Sequence, residues 1–198
     1  MTTPQQRSPD HPIDKQFVER WSPRAFSGED ISAATLSTFL EAARWAPSAF
    51  NLQPWRFLYA RRNTPQWDRY LGLLNEFNRS WAASASAIVI VLSKTTYLPA
   101  GKDVEVPSTT HSFDTGAAWG FLALQASLSG WAAHAIAGIE RDKIRQELHV
   151  PDNYAIEAGI VIGKVGDKTT LPESLRGREF PSPRQPLSAL AAEGDFSF

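Results

Sequence analysis

Hydrophobic residues recur at the spacing typical of helices in some segments of the chain and at the spacing typical of strands in others. The positions at helical spacing predict helices over residues 13–20, 32–45, 66–78, 114–129 and 141–149. Within the second of these, Leu36, Phe39 and Leu40 lie three or four positions apart, and Pro47 ends the pattern. The segment 114–129 is apolar on nearly every side, so we expect it to be buried, in part against a partner chain.

Shorter apolar runs predict the strands. They cover residues 55–60, 87–93, 134–138 and 156–165. The run over 87–93 is apolar at almost every position, which is typical of a central, buried strand. Residues 94–112 contain Pro, Gly and mixed charges and are predicted to be a loop or surface excursion. Such a mixture favours an α+β fold, with helices flanking a mixed or antiparallel central sheet.

The chain has 198 residues and no linker-like break. We therefore predict a flexible leader over 1–11 and a single domain over 12–198. Residues 166–198 carry several prolines, little periodicity and aromatic residues at the end. We expect this tail to be extended and to wrap a neighbouring chain.

Composition excludes several classes of protein. The net charge of −1 disfavours a nucleic-acid partner, and the lack of cysteine excludes disulfides, thiolate metal sites and a cysteine nucleophile. The longest apolar run is too short to cross a membrane, and the N-terminus does not resemble a signal peptide, so we expect a cytoplasmic protein. His111 and Asp114 are the one pair at ligand-like spacing; a cap with a neighbouring hydrogen bond explains them better than a metal, so no metal site is predicted.

Common catalytic motifs are also missing from the sequence. It contains no Walker P-loop, no G-x-G-x-x-G, no G-x-S-x-G and no H-E-x-x-H. Neither a Rossmann dinucleotide domain nor a serine-hydrolase or zinc-protease site is therefore predicted.

Two segments carry candidate chemistry. In Arg20-Trp21-Ser22-Pro23-Arg24, two guanidinium groups four positions apart flank a hydroxyl, a set that can converge on one phosphate. Taken alone, this set is better explained as a solvated basic turn, because Arg pairs at this spacing are common. The second segment, residues 46–55, combines small residues with the polar side chains of Ser48, Asn51 and Gln53. It suits close approach of a flat heterocycle to the backbone, and it also fits a capped loop with Asn in a turn.

Together, the two segments resemble the N-terminal signature of the nitroreductase family of flavoproteins. The resemblance continues through the chain in the segments Asn78-Arg79-Ser80-Trp81, Asp114-Thr115-Gly116-Ala117-Ala118, Gly130-Trp131, Ala135-Ile136-Ala137-Gly138 and Arg184-Gln185-Pro186-Leu187. Each match is loose, but their order and spacing from residue 20 to residue 187 are specific. The resemblance implies a nitroreductase-like fold, an intertwined homodimer and FMN at the dimer interface.

The resemblance also assigns residues to the cofactor. Those implied to contact FMN are Arg20, Trp21, Ser22, Arg24, Pro47, Ser48, Ala49, Asn51, Asn78, Ile136, Ala137, Gly138 and Arg184. Arg20 and Arg184 would hold the phosphate with help from Ser22, and Arg24 would lie near the ribityl chain and the N1–O2 edge of the ring.

Other implied contacts surround the flavin ring. Asn78 would contact the ribityl or pyrimidine side, and the N–H groups of Ala137 and Gly138 would point towards N5 or O4 of the ring. Residues 47–51 would approach the flavin of the other subunit. One departure stands out: many members carry Lys where this chain has Trp81.

The implied activity is transfer of hydride from NAD(P)H, through flavin N5, to a small electron-poor acceptor such as a nitroaromatic or a quinone, by a ping-pong mechanism. No catalytic side chain is expected, because the flavin performs the difficult chemistry. Two alternatives stay open on the same fold: other flavin chemistry, as in a flavin reductase or dehydrogenase, and a non-catalytic FMN-binding protein. A third alternative is a structural module in which the arginines are only surface charge.

Overall fold

The computed structural model describes residues 7–198 and shows an antiparallel sheet between two layers of helices. The helices in this range are α1 (Lys15–Glu19), α2 (Ala33–Arg44), α3 (Trp67–Leu71), α4 (Glu76–Ala82), α5 (His111–Leu128), α6 (Arg141–Glu147) and α7 (Glu173–Arg176). The strands are β1 (Trp55–Arg61), β2 (Ala87–Lys94), β3 (Thr96–Tyr97), β4 (Val106–Pro107), β5 (Ala132–Ile136) and β6 (Tyr154–Gly163). Single 3₁₀ turns cover Ala49–Asn51, Lys168–Thr170 and Leu187–Ala189.

The main sheet has four strands in the order β1-β2-β6-β5, and every neighbouring pair is antiparallel. One row across it joins Tyr59, Val89, Ile160 and Ala135. Strand β2 is buried at every position except its last, as expected for a central strand. The predicted α+β class with helices flanking an antiparallel sheet is therefore confirmed.

Alternation along the strands divides the core between the two faces of the sheet. On one face, Val89 and Ile160 pack with Phe39 of α2 and Leu122 of α5. On the other face, the buried strand residues are joined by side chains from α3, α4 and α6, a cluster that includes Trp67, Tyr70, Trp81, Ile88, Ile144 and Val161. This two-sided burial fixes the positions of α4 and β5, which carry predicted site residues.

The predicted single helix over 66–78 is wrong. It is two helices, α3 and α4, separated at Gly72–Asn75. The side chain of Asn75 accepts a hydrogen bond from the Asn78 N–H at 2.9 Å and caps α4. Because the helix is interrupted here, Asn78 lies in the first turn of α4.

Helix α5 begins three residues earlier than predicted and buries only one side. Ala118 and Leu122 are fully buried against the sheet layer, whereas Phe113, Phe121 and Leu128 are 82%, 41% and 64% exposed. The exposed three, spaced at helical intervals, form an apolar stripe on the outer side of α5. The chain itself therefore covers only one side of α5, and burial of the other side against a partner chain stays a prediction.

Other boundaries shift slightly. Strand β5 covers 132–136 rather than 134–138, and β6 covers 154–163 rather than 156–165. The predicted excursion over 94–112 contains the short hairpin β3–β4, fastened by an ion pair between Lys94 and Glu105. In the described range, no helix is both long enough and apolar enough to cross a bilayer.

Candidate cofactor site

A cavity of about 420 Å³ opens where residues 20–24 meet the C-terminal segment. Its lining is rich in arginine and consists of Arg7, Arg20, Trp21, Ser22, Arg24, His134, Gly177, Arg178, Phe180, Ser182 and Arg184. The fold thus brings Arg20 and Arg184 to one place from opposite ends of the domain. Five of the thirteen residues assigned to the cofactor line this cavity, together with Arg7, Arg178 and His134, which the sequence did not assign.

The cavity concentrates positive charge. Arg20 is half-buried, and its Nη1 lies 3.5 Å from Ser22 Oγ. Burial lowers the pKa of Arg20, and repulsion from Arg184 lowers it further. Among residues 7–198, no carboxylate lies within ion-pairing distance of Arg7, Arg20 or Arg184. Guanidinium groups clustered in this way favour an anion with several acceptor oxygens, such as a phosphate.

Two side chains from distant parts of the chain hold the loop that carries Arg20 and Arg24. Glu179 Oε1 accepts hydrogen bonds from the N–H groups of Arg24 at 2.6 Å and Ala25 at 2.8 Å. His134 Nδ1 lies 2.9 Å from the Pro23 carbonyl oxygen and donates to it, because that oxygen can only accept. Pro23, Arg24 and Ala25 are therefore held by hydrogen bonds to residues far away in the sequence, and no local motif predicts these bonds.

Arg24 has an unused donor in this setting. Its Nε is buried and, among the described residues, has no hydrogen-bond partner. Burial lowers the pKa of Arg24 most, Glu179 opposes this by raising it, and Arg178 lowers it again. A buried, charged donor without a partner is unfavourable, so Arg24 is suited to bind an acceptor that enters the cavity.

Trp81 packs behind the cavity. It is almost fully buried, and its ring centroid lies 5.1 Å from that of His134 and 6.2 Å from that of Phe26. The pKa of His134 is lowered chiefly by burial, while its bond to Pro23 raises it and nearby Arg24 lowers it. At the position where the family resemblance implies lysine, this chain thus has Trp81, stacked with His134 and Phe26.

A second group of predicted residues surrounds Gly138, just after β5. Asn78 Nδ2 and the Asn75 N–H both donate to the Gly138 carbonyl oxygen at 3.1 Å. A Cβ at Gly138 would lie 2.4 Å from Asn78 Nδ2 and 2.5 Å from Asn75 Nδ2, so any larger residue there would have to displace these amides. Ile136 is buried in the core, and Ala137 is exposed. Across residues 7–198, the N–H groups of Ala137 and Gly138 donate to no protein acceptor, which leaves them open to a ligand.

The loop over residues 47–51 does not line the arginine cavity. Asp114 Oδ2 accepts hydrogen bonds from the Ala49 N–H at 3.2 Å and from Thr110 Oγ1 at 3.0 Å, which fastens the loop to the start of α5. Phe50 and Asn51 have left-handed backbones, with φ of 50° and 54°. The Phe50 ring is 88% exposed. Within one chain, therefore, Pro47, Ser48, Ala49 and Asn51 stand apart from Arg20 and Arg184.

The neighbouring His111 and Asp114 serve different contacts. His111 Nδ1 lies 2.7 Å from Ser93 Oγ, whereas Asp114 holds the 47–51 loop. Each therefore has a structural partner of its own.

Comparison with known proteins defines the class of protein. The family model described as the nitroreductase family matches residues 18–164. The chain belongs to the nitroreductase family, and the resemblance seen in its sequence is confirmed.

Individual relatives agree with this assignment. A Streptomyces coelicolor protein named provisionally as an NADH dehydrogenase/NAD(P)H nitroreductase is 37% identical over 75 residues, which are 38% of this chain and 37% of that protein. Bacillus subtilis YdgI, named provisionally as an NAD(P)H nitroreductase, is 36% identical over 63 residues, or 32% of this chain and 29% of that protein. The matches span well under half the length of both relatives.

Solved structures resemble the whole chain. The crystal structure of an oxidoreductase containing FMN has a TM-score of 0.94 and 46% identity, and the match covers 100% of this chain and 99% of that one. A nitroreductase-like protein from Exiguobacterium sibiricum in complex with FMN has a TM-score of 0.74 and 23% identity, over 96% and 100% of the two chains. The second likeness supports the fold alone, whereas the first also supports FMN as the predicted cofactor.

The side chains present fit FMN. A phosphate suits Arg7, Arg20 and Arg184, which have no carboxylate partner among residues 7–198. An acceptor group suits the Nε of Arg24, which has no hydrogen-bond partner in the same range. After β5, the N–H groups of Ala137 and Gly138 have no acceptor among residues 7–198, so they are donors that a ligand can use. Which of the thirteen assigned residues touch the cofactor stays a prediction.

Proposed function

We propose that this protein is an FMN-dependent oxidoreductase that takes hydride from NAD(P)H and delivers electrons to a small electron-poor acceptor, such as a nitroaromatic or a quinone, in two alternating half-reactions. The observation that carries the proposal is the convergence of Arg20, Ser22 and Arg184 on one cavity, with no carboxylate of residues 7–198 within ion-pairing distance of either arginine. Family membership supports the oxidoreductase class.

In this proposal, the residues bind and orient rather than react. Arg20, Ser22 and Arg184 hold the phosphate, and Arg24 places a positive charge near the N1–O2 edge of the ring. When bound, FMN would supply the redox chemistry by carrying hydride and electrons between the two substrates. A cation at the N1–O2 edge stabilises negative charge there, and in this chain Arg24 provides it without a lysine at position 81.

No side chain acts as a general acid or base in the proposal. His134 is the histidine that lines the cavity, and its Nδ1–H is used to hold Pro23. The chain's contribution is therefore to position the cofactor, exclude competing contacts and leave one ring face open for nicotinamide and acceptor in turn.

We also propose a homodimer in which the 47–51 loop of one protomer completes the flavin site of the other. Two observations support it: this loop is separate from the arginine cavity within one chain, and α5 carries the exposed stripe of Phe113, Phe121 and Leu128. Large apolar side chains grouped on one helix face are typical of a surface that another chain covers.

The activity is tested by the purified protein itself. We expect it to be yellow and to release FMN on unfolding. Under anaerobic conditions, NADH or NADPH should bleach the flavin absorbance, and a quinone or nitroaromatic should restore it. Bound FMN that neither nicotinamide reduces would support the non-catalytic alternative, and reoxidation by free flavin alone would support a flavin reductase. A colourless protein without flavin would overturn the proposal.

Substitutions in the apolar stripe of α5 test the proposed dimer. The double variant Phe121→Asp/Leu128→Asp should sediment as a monomer near 21.9 kDa, where the native protein should show twice that mass. Buried carboxylates at an apolar interface are strongly unfavourable, so FMN retention should fall with the dimer. Val104→Asp, at an exposed apolar residue outside α5, is the control and should stay dimeric. A native protein that is monomeric at micromolar concentration would contradict the shared site.

A further inference from the structure

We propose that Arg7, from the segment before α1, is a third phosphate-binding arginine, which joins that segment to the cofactor. This inference rests on the proposed function of the arginine cavity. It adds a residue that lies thirteen positions before Arg20, inside the stretch predicted from the sequence to be a flexible leader. Residues 1–6 of that leader lie outside the described residues, and its flexibility stays a prediction.

The position of Arg7 is specific. Its Nη1 donates a hydrogen bond to the Arg20 carbonyl oxygen at 3.0 Å, and its side chain lines the same cavity as Arg20 and Arg184. One guanidinium N–H is thereby used to fix the side chain against the loop. A guanidinium has five N–H donors, and the other four have no hydrogen-bond partner among residues 7–198.

The electrostatic setting points to an anion between these groups. Burial lowers the pKa of Arg7, and the charges of Arg184 and Arg20 lower it further. Elsewhere in residues 7–198, several arginines lie beside a carboxylate, as Arg62 does with Asp30 and Arg69 with Glu147.

The arginines at the cavity lie beside one another instead of beside carboxylates. Arg7, Arg20 and Arg184 are brought together and repel one another, with no acidic side chain of residues 7–198 within ion-pairing distance. A phosphate monoester, which carries close to two negative charges at neutral pH, offers three acceptor oxygens to such a group.

The segment is fastened a second time, at Asp10. Asp10 Oδ2 accepts a hydrogen bond from the Leu187 N–H at 2.7 Å, three positions beyond Arg184. The acid nearest to Arg7 in the segment is therefore engaged with the C-terminal segment. Arg7 and Asp10 together bring the beginning and the end of the domain to the phosphate, so phosphate binding should order both.

The test separates phosphate binding from a structural role. Arg7→Gln keeps N–H donors but removes the charge, and Arg7→Lys restores it. Arg79→Gln is the matched control, because Arg79 Nη2 also donates to one backbone carbonyl, that of Leu74 at 3.1 Å, and does not line the cavity. Dissociation constants for FMN and for riboflavin are measured on the flavin-free full chain by quenching of flavin fluorescence, at several salt concentrations.

We expect Arg7→Gln to weaken FMN binding about tenfold or more, since a charge-assisted contact is lost, and to leave riboflavin binding unchanged. Its FMN affinity should also depend less on salt, and Arg7→Lys should recover part of it. Equal weakening of FMN and riboflavin, or no change in either, would overturn the inference. In wild type, amide hydrogen exchange over residues 7–12 should slow more with FMN than with riboflavin, and this difference should vanish in Arg7→Gln.

The same measurement on Arg20→Gln keeps the two proposals apart. If Arg20→Gln loses its preference for FMN over riboflavin while Arg7→Gln keeps it, only the role of Arg7 fails. If neither variant changes the preference, the cavity is not the phosphate site, and the proposed function loses its supporting observation.

Discussion

Replacement of Arg20 by alanine should weaken FMN binding by roughly 1.5–3 kcal/mol, or about 10- to 150-fold, and the variant should purify with little bound flavin. Arg20 is half-buried, its pKa is lowered by burial and by Arg184, and its guanidinium has no carboxylate partner in residues 7–198. Its charge is therefore available to the phosphate, and its removal costs a charge-assisted hydrogen bond.

The measurement is the FMN content per chain after purification, followed by titration of FMN into the flavin-free protein. Arg44→Ala is the control, because Arg44 is exposed and paired with Glu41. Arg20→Ala should leave thermal stability of the flavin-free protein unchanged or slightly raised, since repulsion with Arg184 is relieved. Wild-type flavin content in this variant would refute the phosphate role of Arg20.

Replacement of Glu179 by alanine should lower the free energy of unfolding by about 3 kcal/mol and also release FMN. Glu179 is 8% exposed, and its Oε1 accepts the N–H groups of Arg24 and Ala25 at 2.6 and 2.8 Å. Alanine leaves both donors without that acceptor, and the Ala25 bond is buried. The loop that presents Arg20 and Arg24 then loses its attachment to the C-terminal segment.

Thermal unfolding provides the first readout, and a fall of roughly 6–12 °C in the melting temperature is expected for a chain of this size. Glu179→Gln keeps an oxygen acceptor and should lose about half as much stability. Glu173→Ala, at an exposed carboxylate of α7 in the same segment, should have little effect. If Glu179→Ala unfolds like wild type and keeps its flavin, Glu179 does not position the loop.

The sequence could predict which arginines meet, but not what holds them in place. Arg20, Ser22 and Arg24 form a local pattern, and Arg184 lies in a recognisable basic element, so the resemblance connected them. Glu179 contacts Arg24 across 155 positions of chain, and a single glutamate in an aperiodic tail shows no pattern of its own. Arg7 was missed for the same reason, because it lies in a polar segment without periodicity.

The fold was predictable where the hydrophobic spacing of a segment and the length of that segment indicate the same element, as in α2 and β2. It was not predictable where a cap interrupts a continuous apolar pattern. Leu73 and Leu74 extend the helical spacing from α3 into α4, yet both are buried in the break between them, and Asn75 starts a new helix. An Asn followed by Glu76 at a helix start was the available signal, and the apolar pattern masked it.

Trp81 shows how a family pattern and a particular chain can differ. The side chain is in the core, stacked on His134, so it reaches the cavity only through that ring. In the proposed site, Arg24 is therefore the residue that would place positive charge beside the flavin ring, without the lysine that the family resemblance implies at position 81.

The left-handed backbone of Phe50 has an energetic consequence. A non-glycine residue with positive φ costs on the order of 1 kcal/mol or more, and within one protomer the 88% exposed ring gains almost no burial to offset it. Phe50→Gly should therefore stabilise an isolated protomer. We propose that the proposed homodimer supplies the missing contacts of the Phe50 ring, because its own protomer offers the ring almost none.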